Sequence, residues 1–466
     1  MKRTSRLRYS RLAAADRRHI WHPFTQMRDW EREPFLVIER ARGNHLYDVN
    51  GKRYLDGVSS LWVTVHGHRH PRIDAAVRNQ LARVAHTTFL GLTHPPAIEL
   101  ARRLMRIAPR GLSRVFYSDN GSTAVEVALK MAFQHWRQRG EKHRTRFLSF
   151  RNSYHGDTIG SVSVGGIGLF HGVFRPLLFD ALFAESPYCY RCPAKKSYPA
   201  CGIECLGSAE SLMRKRRREI AAVVVEPLVQ AAAGMLVYPS EFLRGLRDLC
   251  TKHGILLIAD EVATGFGRTG AMFACEKAGV SPDLMALAKG ITGGYLPLAA
   301  TLATEEVYES FKGRHEEFRT FFHGHTYTAN PLACASAVAS LDVFEEEKTI
   351  ERLQPKIARL RKRLARLREI AIVGDIRQEG MMVGIELVKN RRTKTPHPPK
   401  ERIGHRVILD ARKRGVILRP LGNVIVLMPP LSITPREIDR LVDVTIESIA
   451  AVSRRNISSS AISNAN

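Results

Sequence analysis

A lysine and an aspartate supply the first chemistry in this chain. Lys289 stands in Ala286-Leu287-Ala288-Lys289-Gly290, an apolar setting of no use to a solvated surface lysine. A poorly solvated amine sheds its proton more readily and can hold a carbonyl compound as a Schiff base. Asp260 closes the apolar run Ile255-Leu256-Leu257-Ile258-Ala259. A carboxylate there could pair with a protonated ring nitrogen and keep it charged. Taken by themselves the two residues are more readily a surface lysine and an aspartate capping a turn.

The elements around them favour the chemical reading. Ile255–Ala259 has the form of a strand buried on both faces of a parallel sheet, with a buried helix as its rival. Asp260 then falls at the carboxyl end of a strand, where open α/β sheets collect ligands. Val115–Ser118 is a second such strand, and Asp119–Thr123 is a tight turn into a helix over Ala124–Trp136. Thr123 and Glu126 have capping-box spacing. Amides at a helix start bind phosphate, Gly121 allows close backbone approach, and Ser122 adds a hydroxyl. Phe147–Phe150 and Ala221–Val225 complete the set of candidate strands. Tyr154 follows the first of these and offers an aromatic face for stacking on a planar ring.

The text around these residues resembles the class III pyridoxal-phosphate aminotransferases. IADEVATGFGRTG and PDLMALAKGITGGYLPLAA match the family's cofactor region, and YHGDT, VEP-x-x-Q and HG-x-T follow its wording and order from His19 to Ile449. The resemblance implies fold type I: α/β, a large domain with a mostly parallel sheet, and a smaller α+β domain built from both chain ends. The implied division is 1–68, an N-terminal arm and part of the small domain; 69–335, the large cofactor-binding domain; and 336–466, the C-terminal small domain. Pyridoxal 5'-phosphate is the implied cofactor, with Lys289 and Asp260 catalytic and Gly121, Ser122, Tyr154 and Thr326 also holding it. The family's threonine reaches the cofactor of the partner subunit, which implies a homodimer.

A narrower resemblance singles out one subgroup, which serves biotin biosynthesis. His19-Ile20-Trp21-His22-Pro23-Phe24-Thr25, Ser60-Leu61-Trp62-Val63 and Leu418-Arg419-Pro420-Leu421-Gly422-Asn423 carry it. It implies that Phe24, Trp62, Tyr154, Lys289, Gly324 and Arg419 bind substrate, with Arg419 as the carboxylate fork. The implied reaction converts 8-amino-7-oxononanoate to 7,8-diaminononanoate with S-adenosylmethionine as amino donor. Phe24 stands where many members have tyrosine, so lysine remains open as the donor. Another omega-amine is the wider alternative.

Composition sets the remaining bounds. The chain has 466 residues, 44% hydrophobic and 25% charged, in the range of globular proteins. No apolar run has membrane-spanning length, and the absence of a signal-peptide core favours the cytoplasm. The formal charge of +27 keeps a basic nucleic-acid-binding protein as the reading from another class. The basic residues are spread along the chain, however, and not gathered with aromatics on one module, so no specific nucleic acid is expected. Small-molecule substrates are the expected partners. Arg214–Arg218 is expected to be the solvated end of a helix, Met1–Arg18 a floppy basic arm or an organellar transit peptide, and Ser453–Asn466 a frayed polar tail.

Two motifs raise metal binding. His66, His68 and His70 alternate and would share a face if they lay on a strand. Cys189-x-x-Cys192 and Cys201-x-x-x-Cys205 have spacing suited to a structural tetrathiolate site, or else are reduced loop thiols. Seven cysteines, an odd number, fit reduced thiols.

Overall fold

A computed structural model describes residues 2–463, with side chains described from 7 to 454. Its central sheet has seven strands: β1 (Leu112–Ser118), β2 (Arg146–Phe150), β3 (Leu182–Ala184), β4 (Ile220–Val225), β5 (Leu256–Asp260), β6 (Leu284–Leu287) and β7 (Ala299–Thr304). They lie in the order β1-β7-β6-β5-β4-β2-β3. Pairings β3–β2, β2–β4, β4–β5 and β5–β6 are parallel, and β7 runs antiparallel to both its neighbours. Every residue of β4, β5 and β6 is buried. Burial on both faces explains why these strands are Val, Ile, Leu, Ala and Met without polar alternation, up to Asp260 at the end of β5.

Helix α1 (Gly121–Gln138) covers one face of the sheet. Ala124, Val125, Ala128, Leu129, Ala132 and Trp136 form its buried stripe, and Trp136 Nε1 donates to the Ala221 carbonyl at 2.8 Å. Its start differs from expectation. The capping box is Asn120 with Thr123: Asn120 Oδ1 accepts the Thr123 N–H at 3.1 Å, and Thr123 Oγ1 accepts the Asn120 N–H at 3.1 Å. Glu126 instead reaches across to the Gly160 N–H at 2.7 Å.

The two chain ends share a sheet. His45–Asp48 and Arg53–Asp56 form an antiparallel hairpin around Asn50-Gly51, and Val416–Ile417 joins Leu55–Asp56 in parallel. A second C-terminal sheet pairs Val373–Glu379, Met382–Asn390, Val424–Leu427 and Arg419–Leu421, all antiparallel. Helices span Pro331–Glu346 and Thr349–Leu364, the second burying Leu353, Ile357, Leu360 and Leu364.

Three expectations fail. Residues of the supposed floppy arm form the helix Lys2–His19, anchored where the Tyr9 hydroxyl donates to the Phe35 carbonyl at 2.9 Å. The histidine segment is no strand, and its rings find separate partners: His66 with Ser340 Oγ at 3.1 Å, His68 with Asp56 at 3.0 Å and His70 with Glu347 at 3.1 Å. The polar end expected to fray from Ser453 continues the helix Pro435–Ser463; 464–466 lie outside the described residues. Arg214–Arg216 does end the helix Leu206–Arg216, with Arg214 and Arg216 exposed. Among the described residues no helix is long and apolar enough to cross a membrane.

Candidate active site

A cavity of about 680 Å³ opens at the carboxyl ends of the parallel strands. Lys289, Asp260, Trp62, Tyr154, Gly121 and Ser122 all line it. Ala231, Ala232 and Tyr295–Leu298 add further wall. The volume lies within the range of cofactor and small-molecule sites.

Lys289 follows β6, and its backbone takes a positive φ of 46°. Burial pulls its pKa down, while Asp260 and Glu226 pull it up more weakly. The amine lies 5.1 Å from the centre of the Trp62 ring. Asp260 ends β5, with Oδ2 at 2.7 Å from His155 Nδ1 and Oδ1 accepting the Val262 N–H at 3.1 Å. His155 therefore orients the carboxylate. Glu226, at the end of β4, accepts the Tyr154 N–H at 2.9 Å and the Ala231 N–H at 2.9 Å. Burial pushes its pKa up to about 7. Tyr154 donates its hydroxyl to Asp157 at 2.7 Å and lies parallel to His171 at 6.2 Å.

The helix start is shaped for an anion. With Thr123 and Ala124 N–H bonded to Asn120, the Gly121 and Ser122 amides remain the open donors of the first turn. A Cβ on Gly121 would come 2.6 Å from Val262, and one on Gly156 would come 2.1 Å from Ser122 Oγ. Only glycine allows these close approaches. Amine, carboxylate, aromatic face and anion seat therefore line one cavity, and this donor set fits a phosphorylated pyridine aldehyde. The sequence did not single out Asn120, Tyr295–Leu298 or the direct bonds of His155 and Glu226. The wording YHGDT, VEP-x-x-Q and GGYLPL marked their segments without fixing the contacts.

Trp62 arrives by an unusual route. Ser59, Ser60, Leu61 and Trp62 have φ of 50°, 51°, 86° and 69°. The Trp62 N–H donates to the Val58 carbonyl at 2.8 Å and the Val63 N–H to the Ser59 carbonyl at 3.0 Å. This is one turn of left-handed helix, which costs L-residues roughly 1–2 kcal/mol each. Asp56 grips it, accepting from the Val58 and Ser60 N–H groups and the Ser60 hydroxyl at 3.2, 3.1 and 2.8 Å. The Trp62 indole nitrogen is buried without a partner.

The other expected site residues stand outside this cavity. Phe24 is 61% exposed, and its ring meets Phe170 at 5.4 Å, which in turn meets Tyr154 at 6.3 Å. Arg419 is partly buried near Tyr154, its pKa lowered by burial and its Nε without a partner. Gly324 and Thr326 are exposed, and His325 between them lies 2.7 Å from Asp119 on the cavity wall.

The spacing of the cysteine loop leaves open a tetrathiolate site or reduced thiols, and the four thiols stand free. Cys189, Cys192, Cys201 and Cys205 line one small pocket of about 20 Å³ as free thiols, yet among the described residues no three His, Cys, Asp or Glu are arranged to hold a metal ion. Burial pushes the Cys189 thiol up and the Cys205 thiol up to about 11, which favours the protonated form. Side-chain pairs hold the loop instead: Tyr188 and Arg191 with Glu386 at 2.5 and 2.6 Å, and Lys196 with Glu204.

Known proteins align with this chain along most of its length. The family model for class-III aminotransferases matches residues 26–449. An adenosylmethionine-8-amino-7-oxononanoate aminotransferase of Nitratidesulfovibrio vulgaris is 63% identical over 96% of this chain and 82% of its own. Its counterpart in Geobacter sulfurreducens is 58% identical over 94% of this chain and 97% of its own. Among solved structures, the enzyme of that name from Methanocaldococcus jannaschii superposes with a TM-score of 0.90 at 46% identity, covering 95% of this chain and 99% of that one. A PLP-bound amine transaminase from an uncultivated Pseudomonas species gives 0.88 at 40% identity, covering 94% and 98%.

Proposed function

The chain belongs to the class III aminotransferases, pyridoxal-phosphate enzymes of fold type I, and from that premise we propose that it aminates 8-amino-7-oxononanoate to 7,8-diaminononanoate with S-adenosylmethionine as donor. The observation that carries this reading is 63% identity over 96% of the chain to an aminotransferase bearing those two substrates in its name. Trp62 and Lys289 facing each other across the cavity agree with it.

When bound, pyridoxal phosphate supplies an aldehyde that condenses with amines and a ring that draws electrons from the adjoining carbon. Lys289 would hold it covalently and, once displaced by the incoming amine, would move a proton between substrate carbon and cofactor carbon. Its burial suits that work, because a depressed pKa yields more neutral amine at neutral pH. Asp260, fixed by His155, would keep the ring nitrogen protonated. Tyr154, held by Glu226 through its N–H, would support the ring face, and the Gly121 and Ser122 amides would hold the phosphate. Arg419 would bind the carboxylate of the ketone substrate, a role its unpartnered Nε leaves open.

Gly324 and Thr326, exposed and outside their own chain's cavity, are read as residues offered to the site of a second copy, which makes the active form a homodimer. A cytoplasmic enzyme with three segments, 1–68, 69–335 and 336–466, completes the proposal.

The donor is tested by a half-reaction. Cofactor-loaded enzyme is mixed with S-adenosylmethionine or lysine alone, and loss of visible cofactor absorbance is followed. Rapid bleaching by S-adenosylmethionine is expected. Bleaching by lysine and none by S-adenosylmethionine would replace the donor. Phe24 is where that difference would originate: it lacks the hydroxyl whose hydrogen bond is worth about 0.5–1.5 kcal/mol.

A further inference from the structure

Arg377 is 8% exposed, and no step above uses it. It lies on Val373–Glu379, an edge strand of the C-terminal sheet. Nη1 donates to Asp375 and Glu386, both at 2.8 Å. Nε donates to the Gly234 and Met235 carbonyls at 2.9 Å each, and Nη2 to the Gly234 carbonyl at 2.7 Å. Those carbonyls belong to the tip of a hairpin in which Val229–Gln230 pairs with Leu236–Val237. Ala231 and Ala232, on the same tip, wall the cavity, and the Ala231 N–H is one of the two that hold Glu226. Gly234 and Met235 are buried and take positive φ, 110° and 55°. Buried carbonyls require donors, and an arginine, which only donates, supplies them from a distant part of the chain.

Strand register shows what lies beside this contact. Arg377 is paired with Gly384, Gly384 with Val426, and Val426 with Arg419. Cross-strand partners share a face of their sheet, so Arg377 and Arg419 stand on one face, three strand spacings or about 14 Å apart. Gly384, between them, leaves room for the hairpin: a Cβ there would lie 2.7 Å from the Gly234 oxygen. Val424, one strand nearer Arg419, closes on Gly234 from the other side, with a Cγ 3.0 Å from where a Cβ would stand. The cavity wall thus rests on the sheet face that carries Arg419. Lys289 fixes the reacting end of a substrate and Arg419 its carboxylate end, and the seating of sheet on hairpin sets the span between them.

We propose that Arg377 is a positioning residue that docks the C-terminal sheet on the Ala231–Ala232 wall and so sets the reach from Arg419 to the reacting carbon. The inference rests on the aminotransferase reading, with Arg419 as the partner of the substrate carboxylate. Arg377 stands behind the wall and acts through Arg419. A lysine in its place would keep the charge beside Glu386 and Asp375, but one ammonium could not also span the Gly234 and Met235 carbonyls.

The test compares two ketones on the cofactor-loaded enzyme: 8-amino-7-oxononanoate and its methyl ester, which keeps the chain and the reacting carbon but offers Arg419 no charge. It reads kcat, KM and Tm for wild type, Arg377→Lys, Arg419→Ala and the double variant. Positioning predicts that Arg377→Lys lowers kcat/KM by about 100-fold for the acid, the scale of an ångström-sized misplacement, and by no more than about 3-fold for the ester. In the Arg419→Ala background the same change should cost the acid no more than about 3-fold further, because the residue it positions is gone. Equal losses on acid and ester, losses that multiply in the double variant, or a lowered Tm with kcat/KM for the acid within about 3-fold of wild type would overturn the proposal. If wild type did not turn over the acid, or Arg419→Ala left its kinetics unchanged, the site reading would fail and this inference with it. A costly Arg419→Ala with multiplying losses would sink the inference alone. Should Arg377→Lys not fold, Asp375→Asn loosens one corner of the guanidinium and should cost the acid about 10-fold and the ester no more than about 2-fold; equal losses there, or none, would equally overturn it.

Discussion

The turn that enters α1 and the turn that carries Trp62 border the same cavity, but they are held in different ways. Asn120 and Thr123 satisfy each other within four residues, and the Gly121 and Ser122 amides are left open as a by-product of ordinary helix geometry. The Trp62 turn closes its own backbone hydrogen bonds, but its left-handed conformation is held from outside. Its supports are Asp56 nearby, and Arg268 and the Met428 carbonyl, 209 and 369 positions from Ser59 in the chain. A seat for a phosphate needs only a helix start, which any sequence can build locally. Holding an indole over an amine requires a backbone that no local sequence would choose, and the tertiary structure must enforce it.

Substitutions on each side sharpen that contrast. The largest effect should come from Asp56→Ala, which strips four hydrogen bonds from the turn and from His68. Stability should fall by about 3 kcal/mol or more, and kcat/KM by at least about 100-fold. Denaturant melts and steady-state kinetics read both; unchanged kinetics would show that the turn tolerates slack. Asp56 also makes a pH statement. Its folded pKa is lowered, with the His68 and Ser60 hydrogen bonds overcoming its burial. Its contribution is therefore present above the ordinary carboxylate pKa and lost as pH falls through the folded value. An acid titration of Asp56→Asn should lack that loss.

A smaller effect, of opposite sign, is expected at Lys289. Burial lowers its pKa, so between that lowered value and pH 10.5 the unfolded chain binds more protons than the folded one, and stability rises with pH across that window. In cofactor-free protein, Lys289→Met should raise Tm at pH 7 by about 2–4 °C, and the gain should shrink towards pH 10. A Tm that falls would mean that the amine is better solvated than its setting implies. The smallest effect belongs to Asn120→Ala. Loss of the cap should cost about 1 kcal/mol, with kcat/KM within about 3-fold of wild type. A kinetic loss as large as that of Asp56→Ala would erase the distinction between the two turns.

The same contrast separates what the sequence makes legible from what it hides. Asp260 and Lys289 follow short apolar runs whose pattern suits buried strands, so their place at one edge of a sheet follows from local sequence once the buried-helix alternative is set aside. The hairpin at Asn50-Gly51 is equally local. Ser59–Trp62 carries no glycine, and nothing in its side chains announces a left-handed turn; the cause lies in partners far along the chain. Lys2–His19 looked too basic for an ordered element, yet Tyr9 packs on Phe35 and gives that helix an anchor. The cysteine spacing leaves metal site and reduced thiols both open, because spacing fixes neither the rotamers nor the protons of the thiols. Phe24 and Arg419 were drawn from the resemblance alone, and they flank the cavity without lining it.

Borohydride reduction of the cofactor-loaded enzyme, followed by peptide mass mapping, tests the central assignment most directly. A pyridoxyl adduct on the peptide holding Lys289 is expected, together with no adduct and a turnover reduced by at least about 1000-fold in Lys289→Ala. An adduct on another lysine, or near-normal turnover in that variant, would contradict it.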